Sequence, residues 1–245
     1  MIGLRSAVFN IVIIGWFFLV AGLLLPVTLL PRAAAWWVVE FWAHSSLFLM
    51  RVICGIRLEV RGRENLPTSG GYILAAKHQS ALETLAFLTI ARRPAYILKR
   101  ELLFLPLFGY YLWRFGQIAV KRGAGQKAIH SVGKAALPVL AAGRPIVIFP
   151  QGTRTDPGTH RPYRGGVQHL ARLSGVPVVP AALNSGVFWG RNAFRKYPGT
   201  VVIEILPPLT VPAEPRAAFM AALEGAIEPA TARLEAAGWA SRKPA

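Results

Sequence analysis

Residues 72–90 read YILAAKHQSALETLAFLTI, and this stretch decides the class of fold. Its first five residues form a short apolar run, which is typical of a strand. Residues 80–90 have the character of a helix, and Ser80 followed three positions later by Glu83 is a common helix start. A strand that turns directly into a helix is the repeating unit of an α/β domain.

The same alternation continues on both sides of this unit. We predict strands at 57–60, 72–76, 95–98, 117–121, 146–149, 178–183 and 201–206, and helices at 80–90, 126–141, 166–173 and about 216–237. No repeat of fixed period and no low-complexity linker divides the chain. The sequence therefore predicts one α/β domain over residues 56–245, with a mostly parallel or mixed central sheet flanked by helices.

The segment before this domain is apolar. Residues 7–30 carry no charge, are polar only at Asn10 and Thr28, and lie between Arg5 and Arg32. The run exceeds the roughly 20 apolar residues that cross a bilayer core. A cleaved signal peptide is the alternative, because residues 33–35 are all alanine, but its apolar part usually has only about 7–15 residues. We predict that residues 1–55 anchor the chain to a membrane.

A second apolar stretch, residues 35–54, is interrupted by Glu40, His44 and Arg51 and is rich in tryptophan. It is the second leg of a helical hairpin, a helix lying in the membrane interface, or a core helix of the domain. Arginines crowd its far side, at positions 51, 57, 61 and 63. By the positive-inside rule, the domain faces the cytoplasm. The high usage of Ala, Arg and Pro suggests a bacterial source, so we predict a bacterial inner membrane location.

The charge balance favours anionic partners. The chain has 28 Lys and Arg against 11 Asp and Glu, a net charge of +17, which suits nucleic acid, anionic lipid headgroups or phosphorylated substrates. A mean hydropathy of +0.42 and the lack of a nucleic-acid reading motif favour lipid. The single cysteine, Cys54, excludes an intramolecular disulfide and a cysteine-based zinc cluster.

Polar residues after predicted strands are the candidates for chemistry, since the G-x-S-x-G, H-E-x-x-H and phosphate-loop motifs are absent. His78 and Glu83 are five positions apart, so they meet only if His78 precedes the helix and the chain folds back. A carboxylate on one imidazole nitrogen leaves the other nitrogen free to act as a general base. The alternative is a capping box, in which Ser80 caps the helix and Glu83 binds the Ser80 amide. One carboxylate has acceptor sites for both roles.

Two further segments place cations after strands. Lys121 ends the strand predicted at 117–121 and Arg122 follows it directly, and residues 149–154 read FPQGTR. Gly152 allows an anion to approach the backbone, while Thr153 and Arg154 offer a hydroxyl and a guanidinium. Both segments suit phosphate binding. For Lys121 and Arg122, the alternative is a strand end whose charges are merely solvated. For residues 149–154, it is a turn with a surface arginine.

In this order, the segments resemble the 1-acyl-sn-glycerol-3-phosphate acyltransferase family, which belongs with the glycerol-3-phosphate acyltransferases. The family signature is His-x4-Asp, a block ending in arginine, F-P-E-G-T-R, and V-P-V-x-P. Here His78 is followed by Glu83 in place of Asp, Arg122 matches the second block, Gln151 replaces the glutamate of the third, and residues 176–180 read VPVVP. The similarity covers about residues 56–210, and the apolar segment before it also suits the family.

The resemblance implies an acyltransferase that needs no metal or other cofactor. His78, oriented by Glu83, deprotonates the sn-2 hydroxyl of a lysophospholipid, which attacks the thioester of acyl-CoA or acyl carrier protein without a covalent acyl-enzyme. The product is phosphatidic acid. The residues that the resemblance assigns to substrate binding are Lys121, Arg122, Gln151, Gly152, Thr153 and Arg154, with Val179 and Pro180 lining a pocket.

Two alternatives remain open. Gln151 carries no charge, so an acceptor without a phosphate, such as lyso-ornithine lipid, competes with the lysophospholipid. From a different class, a non-catalytic basic protein held at anionic membranes would explain the charge and the tryptophans without using His78.

Overall fold

The computed structural model of the chain describes residues 1–121, 125–210 and 216–242. At its centre lies a seven-stranded sheet. The strands are β1 Ile56–Arg61, β2 Ile73–Ala76, β3 Ala95–Lys99, β4 Ile118–Val120, β5 Ile146–Ile148, β6 Val178–Leu183 and β7 Gly199–Ile205. Each of the seven predicted strands is present, and the predicted α/β class is confirmed.

The sheet has the strand order β1-β7-β6-β2-β5-β3-β4. Neighbouring strands are parallel except for β6 and β7. β2 lies between β6 and β5, and all of its residues are buried. Parallel strands present their carboxyl ends at one edge of the sheet, which is where α/β folds carry their sites. The residues that follow β2 and β5 therefore emerge side by side at this edge.

Helices surround the sheet. They are α1 Ile2–Leu23, α2 Arg32–Ala35, α3 Trp37–Cys54, α4 Leu82–Ile90, α5 Phe108–Arg114, α6 Gly125–Ala141, α7 Gly166–Ser174, α8 Ser185–Phe188 and α9 Arg216–Ser241, with short 3-10 helices at Pro26–Leu29, Arg63–Asn65 and Arg100–Phe104. The four predicted helices correspond to α4, α6, α7 and α9. The helices α5 and α8 have only 7 and 4 residues, which is too short for helical periodicity to show in the sequence.

Alternate residues of β2 enter two cores on opposite faces of the sheet. Leu74 packs with residues of α1, α3, α4 and α8, whereas Ile73 and Ala75 pack with residues of α6, α7 and α9. Because successive side chains of a strand point to opposite faces, a strand with helices on both sides must be apolar throughout. This explains the unbroken apolar run before Lys77 and places the following turn between two helical layers.

The N-terminal helices form an antiparallel hairpin. Trp16 Nε1 donates a 2.8 Å hydrogen bond to Ser45 Oγ, and the rings of Phe17 and Trp42 meet edge to face with centroids 5.8 Å apart. Both Ile2–Leu23 and Arg32–Cys54 are long and apolar enough to cross a membrane, judged by length and composition. The two helices support the predicted association with a membrane.

Both ends of this hairpin also contact the α/β domain. Ser6 Oγ accepts a 2.9 Å hydrogen bond from the Lys196 amide, and Phe9 is fully buried. At the other end, the hydroxyl oxygens of Thr28 and Tyr110 lie 2.8 Å apart. The hairpin therefore lies across the domain. Its opposite side exposes apolar residues of α1, including Leu4, Ile11, Ile14, Phe18 and Leu23.

Candidate active site

His78 lies two residues beyond β2, at the carboxyl edge of the sheet. Its ring stacks on Phe149, the residue that follows β5, with centroids 3.9 Å apart and planes inclined by 14°. The Thr155 amide donates a 2.8 Å hydrogen bond to the His78 carbonyl oxygen. The side chain is 14% exposed and lines a cavity. The ring is thus held in one orientation at the cavity wall.

The buried Glu83 carboxylate binds four hydrogen-bond donors. Its Oε1 accepts from His78 Nδ1 at 2.8 Å, the Gln79 amide at 2.7 Å and the Ser80 amide at 2.6 Å. Its Oε2 accepts from Ser185 Oγ at 2.7 Å. An ionised carboxylate only accepts hydrogen bonds, so Nδ1 carries the proton and the lone pair of Nε2 is left free. The predicted contact between His78 and Glu83 is present, and its geometry suits a general base.

Glu83 also takes part in the start of α4. It binds the Ser80 amide, as a capping box predicts. The Ser80 hydroxyl, however, accepts from the Leu82 amide at 3.2 Å, and Ala81 is the N-cap residue. The reach of Glu83 back to Ser80 is therefore present, and the Ser80 hydroxyl binds the amide of Leu82, the first residue of α4, instead of the Glu83 amide of a regular capping box. One carboxylate fixes both the helix start and the imidazole, so the two interpretations of Glu83 do not exclude each other.

The cavity beside His78 has a volume of about 1220 Å³. Its wall contains the basic residues Lys99, Arg154, Arg164 and Arg191. The three arginines lie near the turn at Gly152, since Arg191 binds the Arg154 carbonyl oxygen and Arg164 lies beside Gly152. Another part of the wall is apolar, with contributions from Phe17 and Val20 of α1, Val38 and Trp42 of α3, and Leu85 of α4. A cavity with a cationic part and an apolar part fits an amphiphilic, anionic ligand. Its apolar wall includes the same hairpin that supports membrane association.

Three of the predicted binding residues line this cavity, namely Gly152, Thr153 and Arg154. Gly152 has a φ of +71°, and a Cβ at this position would lie 3.0 Å from Nε of Arg164. Glycine is the residue that adopts this left-handed conformation without steric cost and leaves room for the guanidinium. The turn therefore brings both backbone and Arg164 to the cavity wall.

Gln151 has a different position from the one expected of a substrate-binding residue. Its side chain is fully buried and is not part of the cavity wall. Oε1 accepts from the His78 amide at 3.4 Å and from Thr155 Oγ1 at 3.3 Å. Within the described residues, Nε2 has no hydrogen-bond partner. Because the turn directs this side chain inward, Gln151 supports the main chain of His78.

Val179, Pro180 and Lys121 are likewise not part of the cavity wall. Val179 and Pro180 lie in β6, beside β2, and are buried in the sheet. Their apolar character comes from this central position, so the expected pocket lining is not observed for them. Lys121 follows β4 and is exposed. Arg122 lies outside the described residues.

Four other residues at the site, Lys99, Arg164, Ser185 and Arg191, were not among the candidates predicted from the sequence. Ser185 is far from Glu83 in the chain, and Arg164 and Arg191 lie in loops whose paths depend on the tertiary structure. Lys99 is the last residue of β3. Because α/β folds carry their sites at the ends of strands, this position could have identified Lys99 as a candidate.

Tyr96 lines the same cavity as a neutral phenol. Its hydroxyl donates a 2.7 Å hydrogen bond to the Thr84 carbonyl oxygen. Burial, followed by the nearby charge of Glu83, raises the pKa of Tyr96 well above its usual value of about 10. Tyr96 is therefore not a candidate base near neutral pH.

Comparison with known proteins places this site in context. Residues 57–184 match the model of the Acyltransferase family. A 1-acyl-sn-glycerol-3-phosphate acyltransferase of Pseudomonas aeruginosa is 38% identical over 187 residues, which cover 76% of this chain and 72% of the relative. The human 1-acyl-sn-glycerol-3-phosphate acyltransferase alpha is 33% identical over 199 residues, covering 80% and 69%.

The fold has a counterpart among solved structures. The crystal structure of a 1-acyl-sn-glycerophosphate acyltransferase from Thermotoga maritima aligns with a TM-score of 0.77 at 20% identity, covering 96% of this chain and 100% of the other. The family match spans just over half of the chain, and the bacterial relative is similar over three quarters of it. The chain therefore belongs to the acyltransferase family and is an acyltransferase.

Proposed function

We propose that this acyltransferase acylates the sn-2 hydroxyl of 1-acyl-sn-glycerol-3-phosphate, giving phosphatidic acid, with His78 as the general base. The observation that carries the proposal is the hydrogen bond from His78 Nδ1 to the buried Glu83, which leaves Nε2 free on a residue of the cavity wall. The names of the similar proteins from P. aeruginosa and human support the choice of acceptor.

The reaction needs one proton acceptor and no covalent acyl-enzyme. His78 Nε2 takes the proton of the acceptor hydroxyl as its oxygen attacks the carbonyl carbon of an acyl thioester, either acyl-CoA or acyl carrier protein. A C–O bond forms, the tetrahedral intermediate loses the thiolate by C–S cleavage, and the imidazolium returns the proton to the sulfur. Glu83 stabilises the imidazolium and keeps the productive tautomer.

We assign the acceptor phosphate to the basic part of the cavity. Arg191 Nη1 donates to the Arg154 carbonyl oxygen at 3.3 Å, so the two loops meet beside the turn at Gly152. Within the described residues, Arg154, Arg164 and Arg191 have no acidic side chain at ion-pair distance. Each guanidinium group has five N–H donors, so all three retain donors that can bind a phosphate through charge-assisted hydrogen bonds.

We assign the acyl chains to the apolar part of the cavity. Its wall contains Val20 and Trp42 from the hairpin, and the other side of α1 exposes apolar residues. We place this exposed side in a bacterial cytoplasmic membrane, with the α/β domain in the cytoplasm. The arginines that follow the hairpin, among them Arg57 and Arg61, support this orientation.

The test is acyl transfer by the detergent-purified full chain, with lysophosphatidic acid and lyso-ornithine lipid as acceptors and acyl-CoA and acyl carrier protein as donors. We expect phosphatidic acid from the first acceptor. Acylation of lyso-ornithine lipid alone would contradict the proposed acceptor but retain the chemistry. No transfer with any of the four combinations would contradict the proposed function.

A further inference from the structure

The two residues that flank His78 in the chain are buried and polar. Lys77 is 1% exposed and Gln79 is 0% exposed. The Lys77 amide still pairs with the Ala181 carbonyl oxygen of β6 at 3.1 Å, so the chain continues in an extended form beyond β2. Alternate side chains of an extended segment point to opposite sides. Lys77 and Gln79 both reach α9, whereas His78 faces the cavity.

Glu228 of α9 holds the first of these flanking residues. Lys77 Nζ donates to both carboxylate oxygens of Glu228, at 3.0 and 2.7 Å. Nζ also donates to the Thr159 carbonyl oxygen at 3.1 Å, and the Tyr163 hydroxyl donates to Glu228 Oε1 at 2.6 Å. Glu228 thereby joins the residue before His78 to the loop that follows residue 155.

Glu235 of α9 holds the second flanking residue. The Gln79 side-chain amide donates to Glu235 Oε1, and the Gly158 amide donates to Oε2 at 2.8 Å. Gln79 Oε1 in turn accepts from the Gly186 amide at 3.0 Å. Every polar atom of this pair has a partner, and each partner belongs to a different part of the site. Gly186 adjoins Ser185, which binds the Glu83 carboxylate.

The two glutamates lie on one face of α9. Residues seven apart are two helical turns apart and share a face. This face lies beyond residue 184, where the match to the family model ends. Buried polar networks often serve only to rigidify a fold and specify its core. Here, however, both pairs end on the residues immediately before and after the candidate base, so they control its backbone position as well.

We propose that Glu228 and Glu235 are positioning residues, which hold His78 in line with its substrate by clamping Lys77 and Gln79 from α9. The inference rests on the proposed role of His78. A displacement of about 1 Å in a reacting group lowers a rate by about 100-fold. Loss of one clamp should therefore lower kcat about 10- to 100-fold while leaving KM nearly unchanged, because the cavity wall is retained.

The sharpest test exchanges the partners of the second clamp. In Glu235→Gln, the NH2 group of the new side chain must face either Gln79 Nε2 or the Gly158 amide. Both of these groups are donors, so one hydrogen bond is lost. Combining Glu235→Gln with Gln79→Glu restores every hydrogen bond. The carboxylate at position 79 accepts from the Gly186 amide and from the NH2 group at position 235. The amide oxygen at position 235 accepts from the Gly158 amide. We expect kcat per folded molecule to fall in Glu235→Gln and to recover in the exchanged pair.

The matched control is Glu224→Gln, because Glu224 lies on the same helix one turn before Glu228 and binds the exposed His160. We expect its kcat to equal that of the wild type. If Glu235→Gln does not fold, the triple variant Lys77→Met, Tyr163→Phe, Glu228→Leu takes its place. This variant replaces the first clamp by apolar groups, a change that buried ion pairs often tolerate, and should fold with reduced kcat.

Folded fraction is measured by circular dichroism beside kcat and KM for lysophosphatidic acid. An unchanged kcat per folded molecule in the single variant, or no recovery in a folded exchanged pair, would overturn the proposal. A wild-type protein without transferase activity would contradict the proposed function instead, so the two failures are distinguishable.

Discussion

The Ser185 hydroxyl donates a 2.7 Å hydrogen bond to Oε2 of Glu83, a residue 102 positions earlier in the chain. Both side chains are fully buried. Ser185 begins α8 just after β6, while Glu83 lies in the first turn of α4 after β2. The carboxylate that orients His78 is therefore held on both oxygens, by residues from two separate strand ends.

Ser185→Ala should lower both activity and stability. Removing the hydroxyl leaves Oε2 of a buried carboxylate without this donor, which should reduce the free energy of unfolding by about 1–3 kcal/mol. We also expect a lower kcat with little change in KM, because Glu83 gains freedom to leave His78. Ser174→Ala is the control, since the partners of that hydroxyl among the described residues are carbonyl oxygens within its own helix. Equal kcat values in the two variants would contradict the role given to Ser185.

Gly152→Ala should weaken acceptor binding. The added Cβ would meet Arg164 at 3.0–3.3 Å, and alanine in the left-handed region costs about 1–2 kcal/mol. We expect a higher KM for lysophosphatidic acid. Gly70→Ala imposes similar backbone strain, with a φ of +76° and nothing within 4 Å of its Cβ. A KM that rises equally in both variants would assign the effect to strain and not to Arg164.

Arg164→Gln should reduce kcat/KM for a phosphate-bearing acceptor about 10- to 100-fold, the effect of losing a charge-assisted hydrogen bond of about 1.5–3 kcal/mol. The control is Arg172→Gln, because Arg172 is exposed on α7 and is not part of the cavity wall. Initial rates with lysophosphatidic acid over a range of concentrations provide the comparison. Equal losses in the two variants would indicate a general effect of charge.

Lys196 lies at the contact between α1 and the α/β domain, and its titration makes the free energy of unfolding depend on pH. Its Nζ donates to Asn10 Oδ1 at 2.5 Å, and burial lowers the pKa of Lys196 below its usual value of 10.5. Between the lowered value and 10.5, the unfolded chain binds more protons at this residue than the folded protein does. The contribution of Lys196 to the free energy of unfolding therefore increases as the pH rises through that window.

The measurement is the free energy of unfolding against pH for the wild type and Lys196→Met. The wild type should show the more positive slope as the pH approaches 10.5. Parallel curves would show that Lys196 titrates alike in the folded and unfolded chain, contrary to this prediction.

Local patterns in the sequence were sufficient to predict the strands, the long helices and the contact between His78 and Glu83. These features depend on periodicity or on residues a few positions apart, and both operate within short segments. The contact between Ser185 and Glu83 joins distant segments, so it required the fold. Val179 and Pro180 lie in the central strand β6 and not on the cavity wall, which the sequence could not reveal because an apolar motif has the same composition in a central strand as in a lipid pocket.

The role of His78 is tested by the rate of acyl transfer from acyl-CoA to lysophosphatidic acid in His78→Ala, measured beside His169→Ala. His169 lines the same cavity but has no carboxylate partner within the described residues. If His78 is the general base, its removal lowers kcat by about 100- to 10,000-fold, whereas His169→Ala stays near the wild type. A folded His78→Ala protein that retains wild-type kcat would show that His78 is not the general base.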